Sequence, residues 1–557
     1  MPMPSARFRS LFVVALACLV ATAAAWAILG APTPGIDDAD ITIVYGRNLR
    51  SGDGFVYFPG GERVEGATSL LWTLICALVG VVPVDPRWVL TIVTLAMTCG
   101  TVLALIDGLS TLGLATRFAV ALSVGWALCQ PAFFAWSGVT LMETSLWCLL
   151  VVLFVASCAR TVTSDGAKSP WILPGIAAAM TLTRPESTLL VPGVLALTAA
   201  IILRTSGWRP ALRNVGPALL SFALVFTLLV GWRLWYFGYP WPNTYYAKAS
   251  GHFRYDLGVG YNYVKLFLAT HPVEACLLGI LAALSLPKLL WLVRGQALER
   301  AETSLLIFAG AVAIGFGLPV ATAGDSFGSY RPLQSFLLLL IAPAAFLLGQ
   351  RVKAWNTLAA DVRVAIGVTL FVLAAGAWYQ FRGNHNLAGE FKAAAVGRRV
   401  GASLTRTLGA GADPTLGVLG AGGVAWTYPG GVLDLMGLNW TEMAHSRGDR
   451  RGLRHGHGAF DPRVFWRKAP EIMVLDLQDG AYCSAETPET TLHTRAVLAW
   501  MKGLTISERF KRAYQAGCLG SGRDSVAGFF RKDWLLERQL PNYRALPGGP
   551  PRAEVAE

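Results

Sequence analysis

Residues 11–40 read LFVVALACLVATAAAWAILGAPTPGIDDAD: twenty residues without a charge, a short Pro/Gly turn, then carboxylates at Asp37, Asp38 and Asp40. A helix of about 20 apolar residues crosses a bilayer, so the stretch reads as a membrane span that delivers an acidic segment to one face. Arg7 and Arg9 precede it, and the small residues up to Ala25 give it the look of a secretory signal. The apolar runs behind it favour an uncleaved signal anchor instead. Either reading sends residue 31 onward to the outer side.

Further apolar runs lie near 68–82, 88–106, 118–130, 141–158, 171–183, 187–203, 214–236, 273–293, 303–322, 333–349 and 364–380. The shorter ones (68–82, 118–130 and 171–183) read as tilted, broken or re-entrant. Of 557 residues, 54% are apolar and 15% charged, and the mean hydropathy is +0.49. Soluble globular chains carry about 25% charged residues, so an ordinary soluble enzyme is excluded, and so is a disordered chain. The formal charge of +13 would suggest nucleic acid in a soluble protein. Here Arg160/Lys168, Arg204/Arg209/Arg213, Lys288/Arg294/Arg300 and Arg351/Lys353/Arg363 fall in alternate loops, the pattern of cytoplasmic connections. No nucleic-acid partner is expected; membrane lipids are. Segments 237–271, 323–331 and everything after about 380 then face the other, periplasmic or extracellular, side. An even number of crossings would return the C-terminus to the side of the N-terminus, so one run between 68 and 183 fails to cross or is split. The expected fold is an α-helical polytopic membrane protein with about 11 transmembrane helices, and 13 as the upper count.

After residue 380 the text changes. Residues 381–557 hold 23 Lys/Arg and 17 Asp/Glu, and short β-like runs (Leu416–Leu419, Ile472–Leu477) alternate with turn clusters such as Gly420–Gly423 and a helical stretch near 491–503. The expected organisation is a membrane domain over 1–380, with a first outer loop at 31–67, and a soluble α/β domain over 381–557. Seven of the nine cysteines lie in apolar runs, where Cys acts as a small hydrophobe. Cys483 and Cys518 alone lie in the tail, and an isolated pair in an oxidising compartment predicts a disulfide.

The segment after the first span carries the chemistry. Close carboxylates raise one another's pKa, which suits Asp37 or Asp38 to accept a proton near neutral pH. The pair also offers hard oxygen ligands to a divalent cation, though nothing in the sequence demands one. The structural reading is that acids simply complement a helix N-terminus. Ile41, Val44, Tyr45 and Leu49 recur at helical spacing, giving a face suited to the membrane surface. Glycines at 52, 54, 60, 61 and 66 then mark an elaborate loop running to Trp72.

The stretch Asp37–Trp72 resembles the first outer loop of bacterial GT-C-fold glycosyltransferases that use polyprenyl-phosphate sugars. It is most similar to the mycobacterial terminal β-(1→2)-arabinofuranosyltransferase family and its Gram-negative relatives. The shared elements are the Asp37-Asp38 pair, Tyr45, Arg47-Asn48-Leu49, Gly52-Asp53-Gly54, Pro59-Gly60, Arg63-Val64-Glu65-Gly66 and Leu71-Trp72. Further islands are Ser137–Thr144, Thr183-Arg184-Pro185-Glu186, Tyr236–Lys248, Gly324-Asp325 with Arg331, and Asp434–Asn439. Departures at Ala39-Asp40-Ile41, at Ala67-Thr68-Ser69 and in the stretched 137–144 island bear on sugar and acceptor specificity.

The resemblance implies transfer of a sugar, arabinofuranose favoured, from a polyprenyl-phosphate donor to a glycan or glycoprotein acceptor outside the bacterial inner membrane, with inversion at the anomeric carbon. An acceptor hydroxyl must lose its proton as it attacks, so Asp37 and Asp38 are the expected catalytic residues. The departing phosphate needs positive charge, for which Arg184, Lys248 and Arg331 are candidates. Arg184 could equally pair with Glu186, and Arg331 with Asp325. Glu143 and Glu186, ionisable groups beside apolar runs, are expected to flank the sugar. Asp40, Tyr45, Arg47, Asn48, Glu65, Asn243, Asp325 and His457 complete the expected substrate-binding set.

In the tail, His445, His455 and His457 stand among arginines and read as a basic face for an anionic group more than as a metal site. Trp426, Tyr428 and Trp440 suit either sugar stacking or a core. No phosphate-binding glycine loop stands on a strand–helix unit, which excludes a nucleotide donor. Two competing readings remain. A transporter or flippase of lipid-linked sugars would show a half-to-half repeat, which is not visible. An O-antigen-ligase-like enzyme would hold Arg and His in a large central loop.

Overall fold

The computed structural model describes residues 6–163, 171–351, 360–383, 385–409, 414–447, 450, 458–475, 477, 483, 487–538, 540 and 542–547. Two compact units emerge. The first gathers Met1–Gly30, Trp88–Gly231 and Phe253–Leu387; the second gathers Ala31–Arg87, Trp232–His252 and Ala388–Glu557. The tail thus forms one unit with the loop after the first span and with 232–252, where the sequence suggested a boundary at 380.

Among the described residues nine helices are long and apolar enough to cross a membrane: Ser10–Leu29, Pro86–Ser110, Thr144–Thr163, Ser187–Ser206, Trp208–Phe237, Pro272–Val293, Arg300–Ala321, Arg331–Arg351 and Val364–Phe381. The chain is a multi-pass membrane protein. Of the twelve apolar runs, those at 68–82 and 171–183 form helices of only 10 and 12 residues, Leu70–Val79 and Ile172–Thr183. The run at 118–130 continues through a break into Pro131–Val139, bent by 83°. The count is therefore nine, or ten with the bent pair, against the eleven expected. Pro131 sits first in its helix, where it lacks an N–H and disfavours a helical residue before it, so the bend falls at Gln130. Several threonines of the first unit are satisfied locally: Thr98, Thr101, Thr161, Thr181 and Thr198 each donate to the carbonyl four residues back, at 2.7–2.9 Å.

The second unit carries a six-stranded mixed sheet: β1 (Leu416–Val418), β2 (Val432–Asp434), β3 (Ile472–Val474), β4 (Tyr514–Leu519), β5 (Val526–Arg531) and β6 (Tyr543–Ala545), in the order β2-β1-β3-β5-β4-β6. β1 runs parallel to β2 and β3, and the other pairs are antiparallel. The two β-like runs become β1 and β3, while the stretch near 491–503 holds a shorter helix, Arg495–Trp500.

The helix Asp37–Ser51 does not lie on a membrane surface. Ile41, Val44 and Tyr45 are 4%, 0% and 0% exposed, in one core with Phe55, Tyr57, Val64, Leu416, Val418 and Phe530. Its apolar stripe is covered by the loop and sheet of its own unit, which removes that surface from water at about 25 cal/mol per Å². Tyr428 and Trp440 likewise belong to cores, at 2% and 3% exposed.

Cys483 and Cys518 form the expected disulfide, with Cα atoms 5.9 Å apart. It closes a 35-residue separation and joins β4 to the segment after β3. A loop of that size stabilises by about 3–4 kcal/mol through restriction of the unfolded chain. We therefore expect reductant, or a Cys483→Ser/Cys518→Ser change, to lower the melting temperature. Thiol labelling of the denatured protein should gain two equivalents only after reduction; labelling of both cysteines without reductant would contradict the bond.

Candidate functional site

The second unit builds its site on the first turn of the Asp37–Ser51 helix. Ile36, its N-cap, offers no side-chain acceptor, and the carboxylates of Asp37, Asp38 and Asp40 complement the positive helix end. Their environments differ. Asp37, 6% exposed, accepts from the Gly423 N–H through Oδ1 at 2.8 Å and from the Gly422 N–H through Oδ2 at 3.0 Å. A Cβ on Gly422 would stand 1.8 Å from the Asp37 carbonyl oxygen, so only glycine permits this approach. Burial pushes the Asp37 carboxyl above the usual range, against the two N–H donors.

Asp40 is fully buried and grips Arg398, whose Nε donates to Oδ2 at 2.5 Å and Nη2 to Oδ1 at 3.1 Å. The same guanidinium donates to Thr33 Oγ1 at 2.5 Å and to the Gly35 carbonyl at 3.2 Å. Burial outweighs the Arg398 pair and raises Asp40 to about 6. Asp434, at the end of β2, accepts from the Met436 N–H and from the backbone and side chain of Asn439, at 2.9–3.0 Å. Burial raises it, too, to about 6. Asp38 stands apart: half-buried, it makes no hydrogen bond or ion pair with the described residues, and its charge bears on both Asp37 and Asp434.

Other expected substrate contacts are spent on shaping the loop. The Tyr45 hydroxyl, wholly buried, accepts the Gly66 N–H at 3.1 Å. Asn48 Nδ2 donates to the Val56 carbonyl at 3.0 Å. Arg47 donates to the carbonyls of Trp426 and Ala425 at 2.8 and 3.2 Å, with its guanidinium 5.4 Å from the Trp426 ring. Glu65, 2% exposed, forms a two-bond pair with Arg233, both at 2.8 Å. Asn243 Nδ2 donates to the carbonyls of Gly437 and Leu438, both at 2.9 Å. A Cβ on Gly66 would meet Asn439 Oδ1 at 1.9 Å. These residues spend most of their polar atoms on the loop's shape, while Asn243 Oδ1 is buried without a hydrogen-bond partner among the described residues. Lys248 is half-buried, with no carboxylate or hydrogen-bond partner among the described residues.

In the first unit Arg184 is held by two acids. It donates to Glu143 Oε1 at 2.5 Å and to Glu186 at 2.6–3.1 Å. Arg331 pairs with Asp325 at 2.7 and 3.2 Å and lies over the rings of Phe327 and Trp136 at 4.7 and 5.6 Å. Two guanidiniums against three carboxylates leave this cluster net negative, so Arg184 and Arg331 are already neutralised and do not form a ready anion cradle. The backbone around the cluster is strained. Leu141, two residues before Glu143, has φ +58°, and Ala323, Ser329 and Tyr330 flank the Asp325–Arg331 pair at φ +66°, +60° and +50°. A π-helical turn, Ala135–Val139, precedes Leu141. Such strain persists only where surrounding structure enforces it, and it concentrates at functional sites.

His455 and His457 lie outside the described residues. Among the described residues no group of three or more His, Cys, Asp or Glu side chains is arranged to hold a metal, and both Asp37 oxygens already accept N–H groups. Sequence reading missed Arg398, Arg233 and Asp434 as organisers of the site. The glycine cluster at 420–423 was visible, but only as a turn.

The raised acids have a pH consequence. A carboxyl that titrates near 6 when folded and at 3.8 in its ordinary state favours folding when protonated. Its stabilisation is full below about pH 4 and is lost as pH rises through about 6. Each group is worth on the order of 3 kcal/mol across that window. The melting temperature of the detergent-solubilised protein should carry this decline between pH 4 and 7, and Asp434→Asn should remove part of it; an unchanged slope in that variant would contradict the assignment.

No family model matches the chain. A stretch of 264 residues, 44% of the chain, is 32% identical to the terminal β-(1→2)-arabinofuranosyltransferase of Corynebacterium glutamicum, and the match spans 37% of that protein's length. Among solved structures the chain is similar to ArnT from Cupriavidus metallidurans bound to undecaprenyl phosphate. The TM-score is 0.50 at 14% identity, over 92% of this chain and 97% of that one. The likeness extends over almost the full length, and the fold is the GT-C type with a small C-terminal sheet.

Proposed function

We propose that the protein is a membrane glycosyltransferase that moves a sugar from a polyprenyl-phosphate donor to a glycan or glycoprotein acceptor on the outer face of a bacterial inner membrane. The observation that carries the reading is Asp38, a carboxylate with no hydrogen bond or ion pair among the described residues, on a turn whose other two acids are locked by N–H groups and by Arg398. The similarity to an arabinofuranosyltransferase supports arabinofuranose as the sugar, and the fold shared with ArnT supports a lipid-phosphate donor. The orientation rests on the alternate basic loops.

In this mechanism the acceptor hydroxyl attacks the anomeric carbon and gives its proton to Asp38 as the new glycosidic bond forms. The bond from the anomeric carbon to the phosphate oxygen breaks, and the lipid phosphate leaves with the electron pair. Lys248, without a carboxylate partner among the described residues, offsets the charge that develops on the phosphate. One displacement inverts the anomeric centre. The tail after residue 380 supplies Gly422, Gly423 and Arg398, which keep the base in position.

Transfer of radiolabelled sugar by the purified protein tests this reading. Asp38→Asn should lower kcat by a factor of about 100 or more, the lower range for loss of a general base. Asp37→Asn should lower kcat less and also lower the melting temperature, since Asp37 holds structure. Wild-type rates in Asp38→Asn would overturn the assignment. Lys248→Ala should slow transfer by about tenfold or more while Lys248→Arg retains most activity; equal loss in both would show that charge is not what Lys248 supplies.

A further inference from the structure

A polar cavity lies within the second unit, lined in part by the segment that follows β2. Asp434 and Asn439 begin that segment beside the acids; His445 and Arg447 end it on the wall of a cavity of about 570 Å³, within the range of about 300–1,000 Å³ typical of small-ligand sites. Glu62, Glu442 and Asp461 line it together with Arg447, Arg463 and Arg467. Among the described residues three carboxylates stand against three guanidiniums, with Asp461 paired to Arg463 at 2.9 Å and Glu442 to Arg467 at 2.6 Å; that lining carries no net charge, which disfavours a phosphate or an anionic headgroup and suits a neutral molecule rich in hydroxyls.

The wall also offers an aromatic face. The ring of Tyr239 lies 4.1 Å from that of His445, which lies 4.2 Å from Tyr246 on its other contact. Burial and Arg450 keep His445 below its ordinary pKa, so the ring is neutral at pH 7. Its Nε2 is buried without a hydrogen-bond partner, and the Tyr239 hydroxyl and Arg447 have none among the described residues. Arg450 ties the two sides of the wall together, donating to the Ala249 carbonyl at 2.8 Å and to the Ala444 carbonyl at 2.5 Å. Tyr239 follows the span Trp208–Phe237, where aromatic residues commonly form an interfacial belt. The histidine stack and the charged lining separate it from that use.

We propose that this cavity is a subsite for a neutral saccharide unit of the acceptor, with Tyr239 against a sugar face and Arg447 and the carboxylates on its hydroxyls. The proposal rests on the glycosyltransferase reading for the word acceptor, but not for the binding. Calorimetry of the full-length protein in detergent with a panel of soluble neutral oligosaccharides, arabinopentaose included, measures it directly. We expect saturable binding of at least one member. Tyr239→Ala and Arg447→Ala should each weaken it about tenfold, and Tyr239→Phe should preserve most of it. Inorganic phosphate should not compete. Absence of binding by every member, binding unaffected in Tyr239→Ala and Arg447→Ala, or displacement by phosphate would each overturn the subsite. A protein that binds saccharide yet transfers no sugar would overturn the glycosyltransferase reading alone.

Discussion

Two carboxylates buried on one turn of a helix must have their lone pairs satisfied, because an uncompensated buried charge costs several kcal/mol. Asp37 and Asp40 meet that demand with partners more than 350 residues away: the N–H groups of Gly422 and Gly423, and the guanidinium of Arg398. The demand is reciprocal. Gly422 can approach only because it lacks a side chain, and Arg398 at 8% exposed would be stranded without Asp40. The loop after the first span and the tail therefore fold as one body, and the apolar stripe of the Asp37–Ser51 helix finds its cover there. Asp38, between the two anchored acids, is held in place by a backbone that its neighbours fix, while its own carboxylate makes no hydrogen bond or ion pair among the described residues.

The two charged clusters have different chemical characters. Around Asp38 the acids still feel one another's charge, but Asp37, Asp40 and Asp434 each have dedicated donors. Around Arg184 and Arg331 every guanidinium faces a carboxylate, and the backbone is strained at four non-glycine residues. A saturated, strained cluster is suited to holding a fixed shape or to exchanging partners when a ligand enters. It is poorly suited to attract an anion at a distance, since its net charge is negative.

Much of this was legible in the sequence because its physics is local. Apolar runs of membrane length report spans wherever the run is unbroken, the change of composition after residue 380 reports a fold with a small sheet, and two cysteines outside the spans report a bond. The motif from Asp37 to Trp72 reported the acids. What was not legible depends on pairing across long separations. Arg398 reads as one more basic residue of a helix, Arg233 as the end of a span, and Gly422 as a turn, because nothing local distinguishes a guanidinium or an N–H group that meets a carboxylate hundreds of residues away. The helix face at Ile41, Val44 and Tyr45 misled for the same reason: periodicity reports that a face is apolar, not what covers it. The span count erred where Pro131 breaks a run and where helices of 10 and 12 residues proved too short.

Separating donor binding from transfer in one preparation bears most directly on the role of Asp38. With the protein in lipid nanodiscs, affinity for a polyprenyl-phosphate sugar and single-turnover transfer are measured side by side for wild type and Asp38→Asn. If Asp38 accepts the acceptor's proton, the variant binds donor within about twofold of wild type while transfer falls by two orders of magnitude or more. Equal transfer in both proteins, or a loss of donor binding that accounts for the loss of transfer, would contradict it.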